Sequence, residues 1–227
     1  METNSLSIYP LRRQLSILER VFRLDINPAL ELSSKIELSN IGNIFAVPKR
    51  SVLIKSYFSE IKEEKANKEL VDLICSETDK IDRQKYFTSY TSNIGVSFIG
   101  GKTKRCLEEI EKSQKGSIIL IKTKILNSEG LSSIEANQKL KKDEFALDPY
   151  SLACIMLVNN FMNISGKKLI ASGGYVKKDI YEEKKEVISF NHRTNKNNKD
   201  AELFISTYSI EPNLADEEFY HPIGFIL

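Results

Sequence analysis

The sequence predicts a β-rich α+β chain whose strands form an antiparallel sandwich, preceded by an amphipathic helix and interrupted by a few more helices. Three observations carry this expectation. Short apolar runs rich in β-branched and aromatic residues recur along the chain, at 44–47, 117–126, 168–176, 186–191 and 202–210. These runs follow one another in series with few helical segments between them, unlike the strict alternation of βαβ units. The first 24 residues instead carry apolar side chains at helical spacing. With 227 residues, 41% of them apolar, the chain can bury one sizeable core. The expected organisation is an N-terminal helix and linker over 1–30 and one β-rich domain over 31–227.

Leu11, Leu15, Leu18, Val21 and Phe22 define the apolar stripe of a helix over 6–24, with Arg12, Arg13, Glu19, Arg20 and Arg23 between them. Packing on its own domain is the expected role of such a terminal helix, with docking on a partner or a membrane surface as the alternative. Asn27-Pro28 is expected beyond its end. Ile44–Val47 and Ser51–Ile54 flank Pro48-Lys49-Arg50, which predicts two short strands or one strand broken at an edge. A charged surface helix follows at about 59–76. Tyr86 to Ile99 reads as a strand or hairpin, Gly100-Gly101 as its end, and 104–113 as a short helix.

Segment 117–126 is the clearest strand. Ile121, Thr123 and Ile125 alternate with Lys122 and Lys124, so one face is expected to be buried and the other basic. Segment 127–142 reads as a long loop or a loose helix, and 151–164 as a buried helix. Strands are predicted at 168–176, 186–191 and 202–210, the last two joined by the exposed hairpin loop 192–200. The apolar end, Phe219 to Leu227, is read as a final core strand or a hydrophobic tail offered to a partner.

No apolar stretch approaches the ~20 residues needed to span a bilayer, and residues 1–10 lack the pattern of a secretory signal, so a protein made and kept in the cytoplasm is expected. Cys75, Cys106 and Cys154 are odd in number and widely spaced, which predicts free thiols rather than a disulfide framework.

No catalytic residue, cofactor site or metal site is read from the sequence. Gly95-Val-Ser-Phe-Ile-Gly100-Gly101-Lys102-Thr103 approaches a phosphate-cradling loop, but the motif needs glycine at position 96, which is Val96. The two histidines, His192 and His221, stand at no ligand spacing from another His or Cys. Cys154 with His192 would pair a thiol nucleophile with a base, but Cys154 lies in the most apolar segment, where an inert buried cysteine is the usual outcome. The acidic pairs Glu182-Glu183 and Asp216-Glu217-Glu218 read as solvated edges or turns.

Charge is unevenly spread. Residues 102–142 carry 10 Lys/Arg against 5 Asp/Glu, whereas 143–227 carry 9 against 13. The basic residues fall into three groups: Lys102, Lys104 and Arg105 at a helix start, Lys122 and Lys124 on one strand face, and Lys139, Lys141 and Lys142 in the polar segment that follows. Gathered by the fold, they would displace counterions from a nucleic-acid backbone without reading its sequence. Tyr86, Tyr90 or Phe87 would add base stacking.

Residues 31–176 resemble the plant-virus cell-to-cell movement proteins of the 30K superfamily. The resemblance rests on Ile36-Glu-Leu-Ser-Asn40 through Val47-Pro-Lys-Arg-Ser-Val-Leu-Ile54, on Ser92-Asn-Ile-Gly-Val-Ser-Phe-Ile-Gly100, and on Gly116-Ser-Ile-Ile-Leu-Ile121. Where the family carries an aspartate after the last of these, this chain has Lys122 and Lys124. The resemblance implies a jelly-roll-type core, binding of single-stranded nucleic acid, association with host plasmodesmata and membranes, and no catalysis. The expected function is thus nonenzymatic, sequence-independent nucleic-acid binding, possible self-association and peripheral membrane contact included. Its rivals are a metal-dependent nuclease or hydrolase whose site is assembled only by the fold, and a self-assembling matrix- or capsid-like protein.

Overall fold

Strand β3 (Ile118–Asn127) is the spine of the molecule, because Ile118 to Ile121 are buried on both faces before the lysine alternation begins. In the computed structural model, which describes residues 9–36, 43–82, 96–127, 131–159, 168–177, 185–194, 201–209 and 219–225, β1 (Asn43–Pro48) pairs antiparallel with β3 from Asn43↔Thr123 to Pro48↔Ile118. β9 (Phe219–Phe225) takes the other edge, from Lys122↔Phe225 to Asn127↔Tyr220. The apolar C-terminal run thus supplies an interior strand.

Among the described residues nine strands share one open sheet in the order β1-β3-β9-β5-β7-β6-β2, where β2 is Val96–Ile99, β5 is Lys168–Ile170, β6 is Gly174–Lys177 and β7 is Glu186–Thr194. β4 (Glu144–Ala146) lies beside β9, and β8 (Ala201–Ser209) beside β7. Among the described strands only β5 and β9 run parallel. The chain is therefore mixed α and β around a mostly antiparallel sheet.

Two glutamines finish the pairing where strands leave an edge uncovered. Ala46 and Leu120 face each other across β1 and β3, and each turns its amide away from the other. Gln14 Oε1 accepts from Ala46 N at 3.0 Å while its Nε2 donates to Ile44 O at 3.2 Å. Gln114 Oε1 accepts from Leu120 N at 2.8 Å and its Nε2 donates to Leu120 O at 3.0 Å. Both glutamines are buried, so each side-chain amide substitutes for a missing strand, as buried backbone groups demand.

Helix α1 (Leu11–Phe22) buries Leu15, Leu18 and Phe22 against β1 and α7, and ends at Arg23, whose φ of 55° is left-handed. Pro28 does not lie in a linker but opens a second short helix, α2 (Asn27–Ser33), where its missing N–H costs nothing.

Ser51–Ile54, expected as a strand, belongs to helix α3 (Arg50–Tyr57). Its β-branched composition is overridden by Glu111, whose carboxylate accepts from Arg50 N at 3.0 Å and from the Ser51 hydroxyl at 2.9 Å and so completes the helix start.

Helix α4 (Glu63–Asp82) packs on α7 and β2. Helix α5 (Gly101–Ser113) starts three residues earlier than expected and leans on β4.

The polar stretch after β3 is neither loop nor loose helix alone. Ser132 and Glu135 form a capping box that starts α6 (Ser133–Gln138), and β4 follows. Helix α7 (Pro149–Val158) is buried all round except for half-buried Met156, which accounts for its unbroken apolar sequence. Asp148 caps it and also receives Arg50, whose guanidinium lies 4.9 Å over the Tyr150 ring.

The expected strand 168–176 is two strands, β5 and β6, separated by a turn at 171–173. Gly173 makes that break: a Cβ there would sit 2.1 Å from Ala146 O. This close approach lets Gly173 N donate to Leu147 O at 2.9 Å and Gly173 O accept from Gly100 N at 2.7 Å.

Positions 86–95, 160–164 and 195–200, with Tyr86, Phe87, Tyr90, Glu182-Glu183 and Asp216-Glu217-Glu218, lie outside the described residues. Among the described residues no helix is long and apolar enough to cross a membrane.

Candidate nucleic-acid interface

Register decides where the lysines of β3 go. Residues paired across an antiparallel ladder share a face, so Lys122, Phe225 and Glu144 lie on one face with Lys124, Ile223 and Ala146. The opposite face carries Thr123, Gly224 and Phe145. Phe145 is fully buried there, its ring pressed so closely on Gly224 that a Cβ would come within 2.5 Å of it. That contact holds β4 against β9 and fixes Glu144 on the lysine face.

Glu144 is the centre of the arrangement. Its Oε1 accepts from Lys124 Nζ at 2.6 Å and its Oε2 from Lys141 N at 3.0 Å. Lys141 O in turn accepts from Lys102 Nζ at 2.6 Å. Lys102 is brought there because α5 is tied to β4 through the Thr103 hydroxyl, which donates to Ala146 O at 2.9 Å. One chain of hydrogen bonds therefore links Lys102, Lys141, Glu144 and Lys124, residues drawn from all three basic groups of the sequence.

The electrostatics favour ionised groups. Burial pushes the Glu144 carboxyl up, but the bonds from Lys124 and the Lys141 backbone outweigh it and hold the group below the usual carboxylate range. Lys124 Nζ also lies 4.9 Å over the Phe225 ring. Lys139, Lys141 and Lys142 are exposed in the short segment between α6 and β4. Asp143 and Glu144 adjoin this lysine segment, and Glu135 lies within electrostatic reach of Lys139.

The other expected site residues are placed less favourably. Lys122 shares the sheet face with Lys124 and is half-buried. Lys104 is half-buried on α5. Arg105 does not join the cluster: it lines an open depression of about 420 Å³ with Glu108, Glu109, Lys112 and Ser113, so acidic neighbours offset its charge. Glu144, which the sequence reading counted only among the acidic residues of the C-terminal segment, is the member that was missed. No local pattern marks it, since its partners lie 3 and 20 residues away.

The phosphate-loop resemblance at Gly100–Thr103 has no room to act. β2 passes directly into α5 through Gly100, and the side chains of Lys102 and Thr103 are both engaged by backbone carbonyls. Cys154 is fully buried, and burial drives its thiol far above the ordinary range, which makes it inert. Cys75 and Cys106 are buried free thiols as well. Among the described residues no three His, Cys, Asp or Glu side chains gather as metal ligands.

Comparison of the chain with protein-family models, with curated proteins and with solved structures finds no match.

Proposed function

We propose that the chain is a nonenzymatic, sequence-independent nucleic-acid-binding protein that holds backbone phosphates on the cluster of Lys102, Lys124 and Lys141, with Lys139 and Lys142 beside it. The observation that carries this reading is the hydrogen-bonded chain through Glu144, which gathers three separated basic segments into one cationic surface. Contacts of this kind go to phosphate rather than to base edges, so they bring affinity without sequence preference.

The more specific form of the proposal is a movement protein of the 30K type, with a jelly-roll-type core, single-stranded nucleic acid as cargo, self-association and contact with membranes at plasmodesmata. The sequence resemblance over 31–176 supports it, and a mostly antiparallel sheet is compatible with it.

The test is fluorescence anisotropy of a labelled single-stranded oligonucleotide at two salt concentrations. Three to five phosphate contacts on a single strand predict about a 20- to 100-fold loss of affinity between roughly 50 and 200 mM salt. The variant Lys139→Glu/Lys142→Glu, which changes only exposed residues, should bind far more weakly and with a shallower salt slope. No binding at low salt, or binding indifferent to this variant, would overturn the proposal. Divalent-metal-dependent shortening of the oligonucleotide would favour a nuclease instead.

A further inference from the structure

Helix α1 carries a second cationic feature that shares no residue with the lysine cluster. Tyr9, Arg13, Ser16, Ile17 and Arg20 line a cleft of about 210 Å³ together with Ile81 from α4 and Leu157 from α7. Arg13, Ser16 and Arg20 are three and four positions apart in turn, so they form one stripe along the helix. Ile17, Ile81 and Leu157 add an apolar wall.

Tyr9 is held in place with unusual thoroughness for a residue ahead of a helix. Its N–H donates to Asn159 Oδ1 at 2.5 Å, and its carbonyl accepts from Gln14 Nε2 at 2.9 Å. Asn159 and Gln14 are each only 1% exposed. The anchored ring carries the Arg13 guanidinium 3.6 Å above its centroid. A guanidinium held this close over a ring loses little freedom on binding, and it still offers N–H donors in a fork. Among the described residues no carboxylate lines the cleft, and neither Arg13 nor Arg20 forms an ion pair.

Two guanidiniums, a hydroxyl and an aromatic ring beside an apolar wall select an anion with a flat apolar body. Inorganic phosphate alone would leave the wall uncovered. Volume sets the upper limit, being below the ~300–1,000 Å³ of pockets that enclose a drug-sized ligand. We propose that this cleft binds a phosphomonoester of the nucleoside monophosphate class, with the phosphate on Arg13, Ser16 and Arg20 and the base against Tyr9 and the apolar wall. The same chemistry is offered by a free nucleotide and by the 5′-phosphorylated end of an oligonucleotide.

Ligand-observed NMR titration of the full chain separates these sources, using adenosine 5′-monophosphate, adenosine, inorganic phosphate, and one short oligonucleotide with and without a 5′-phosphate. Saturable binding of the monophosphate, about tenfold tighter than either adenosine or phosphate, is expected. Arg13→Gln and Arg20→Gln should each weaken it about tenfold. Both residues are exposed, so the variants should fold, which circular dichroism verifies. Lys139→Glu/Lys142→Glu should leave it unchanged, whatever that variant does to strand binding. Preference for the 5′-phosphorylated oligonucleotide with a silent monophosphate, again dependent on Arg13, would assign the site to a nucleic-acid end. Binding of neither phosphomonoester, or binding that survives both arginine variants, overturns the proposal.

Discussion

Replacing Glu144 with glutamine should make the protein less stable and a better binder of nucleic acid at the same time. The side chain is buried, keeps its shape in the variant, and loses only its charge. In the native protein it receives one ammonium and one backbone amide. Removing charge assistance from such bonds costs up to ~3 kcal/mol, and the one-third exposure of the Lys124 side chain brings the expectation down to about 1–2 kcal/mol. In a chain of 227 residues that corresponds to a fall in Tm of about 2–8 °C.

The pH dependence follows from the depressed carboxyl. Glu144 is ionised more readily in the folded chain than at its ordinary value of 4.5, so its contribution is fully present above that value. It is lost as pH falls through the folded value. Calorimetric melts of wild type and Glu144→Gln should therefore differ at pH 7 and draw together as the pH is lowered through the folded value. With the neighbouring carboxylate neutralised, Lys124 should meanwhile hold its phosphate contact more strongly, so that affinity for the oligonucleotide rises at low salt. Equal Tm values at pH 7, or a difference that persists unchanged in acid, would refute the central role assigned to Glu144.

Gln114→Ala should cost about 2–4 kcal/mol in urea denaturation, because it orphans both the N–H and the carbonyl of buried Leu120, whereas exposed Gln138→Ala should stay within about 0.5 kcal/mol. Gly173→Ala should yield little soluble folded protein, since its Cβ would meet backbone atoms of Ala146 and Leu147 at 2.1–2.8 Å. Gly101→Ala, with open space at the same atom, should be neutral or stabilising by up to about 1 kcal/mol. His221 is fully buried and its imidazole is held below its ordinary value by burial, partly offset by the Leu131 carbonyl. Stability should therefore decline as pH drops below 6.5, with a slope of up to about 1.4 kcal/mol per pH unit, and His221→Gln should flatten that slope in denaturant titrations between pH 7.5 and 5.5.

Strand β3, the first part of the expected buried helix 151–164, and strands at 186–191 and within 202–210 were legible because each segment is apolar enough to declare its type locally. The basic character of 102–142 was legible for the same reason: charge is a property of composition. Residues 51–54 were misread because their β-branched side chains argue for a strand, while the carboxylate that starts the helix comes from Glu111, 60 residues downstream. The break between β5 and β6 was hidden because it depends on the Ala146 carbonyl meeting Gly173.

Sequence alone determined which segments are apolar, which are cationic and which cysteines stay unpaired, since those follow from local residue chemistry. Only the tertiary structure decided that three basic segments meet at one buried carboxylate. Only it decided that two glutamine amides stand in for missing strands, and that Tyr9 carries Arg13 at the edge of a cleft. Each of these is a contact between residues remote in the chain, and its energy exists only once strand register and helix packing have brought the partners within hydrogen-bonding or stacking distance.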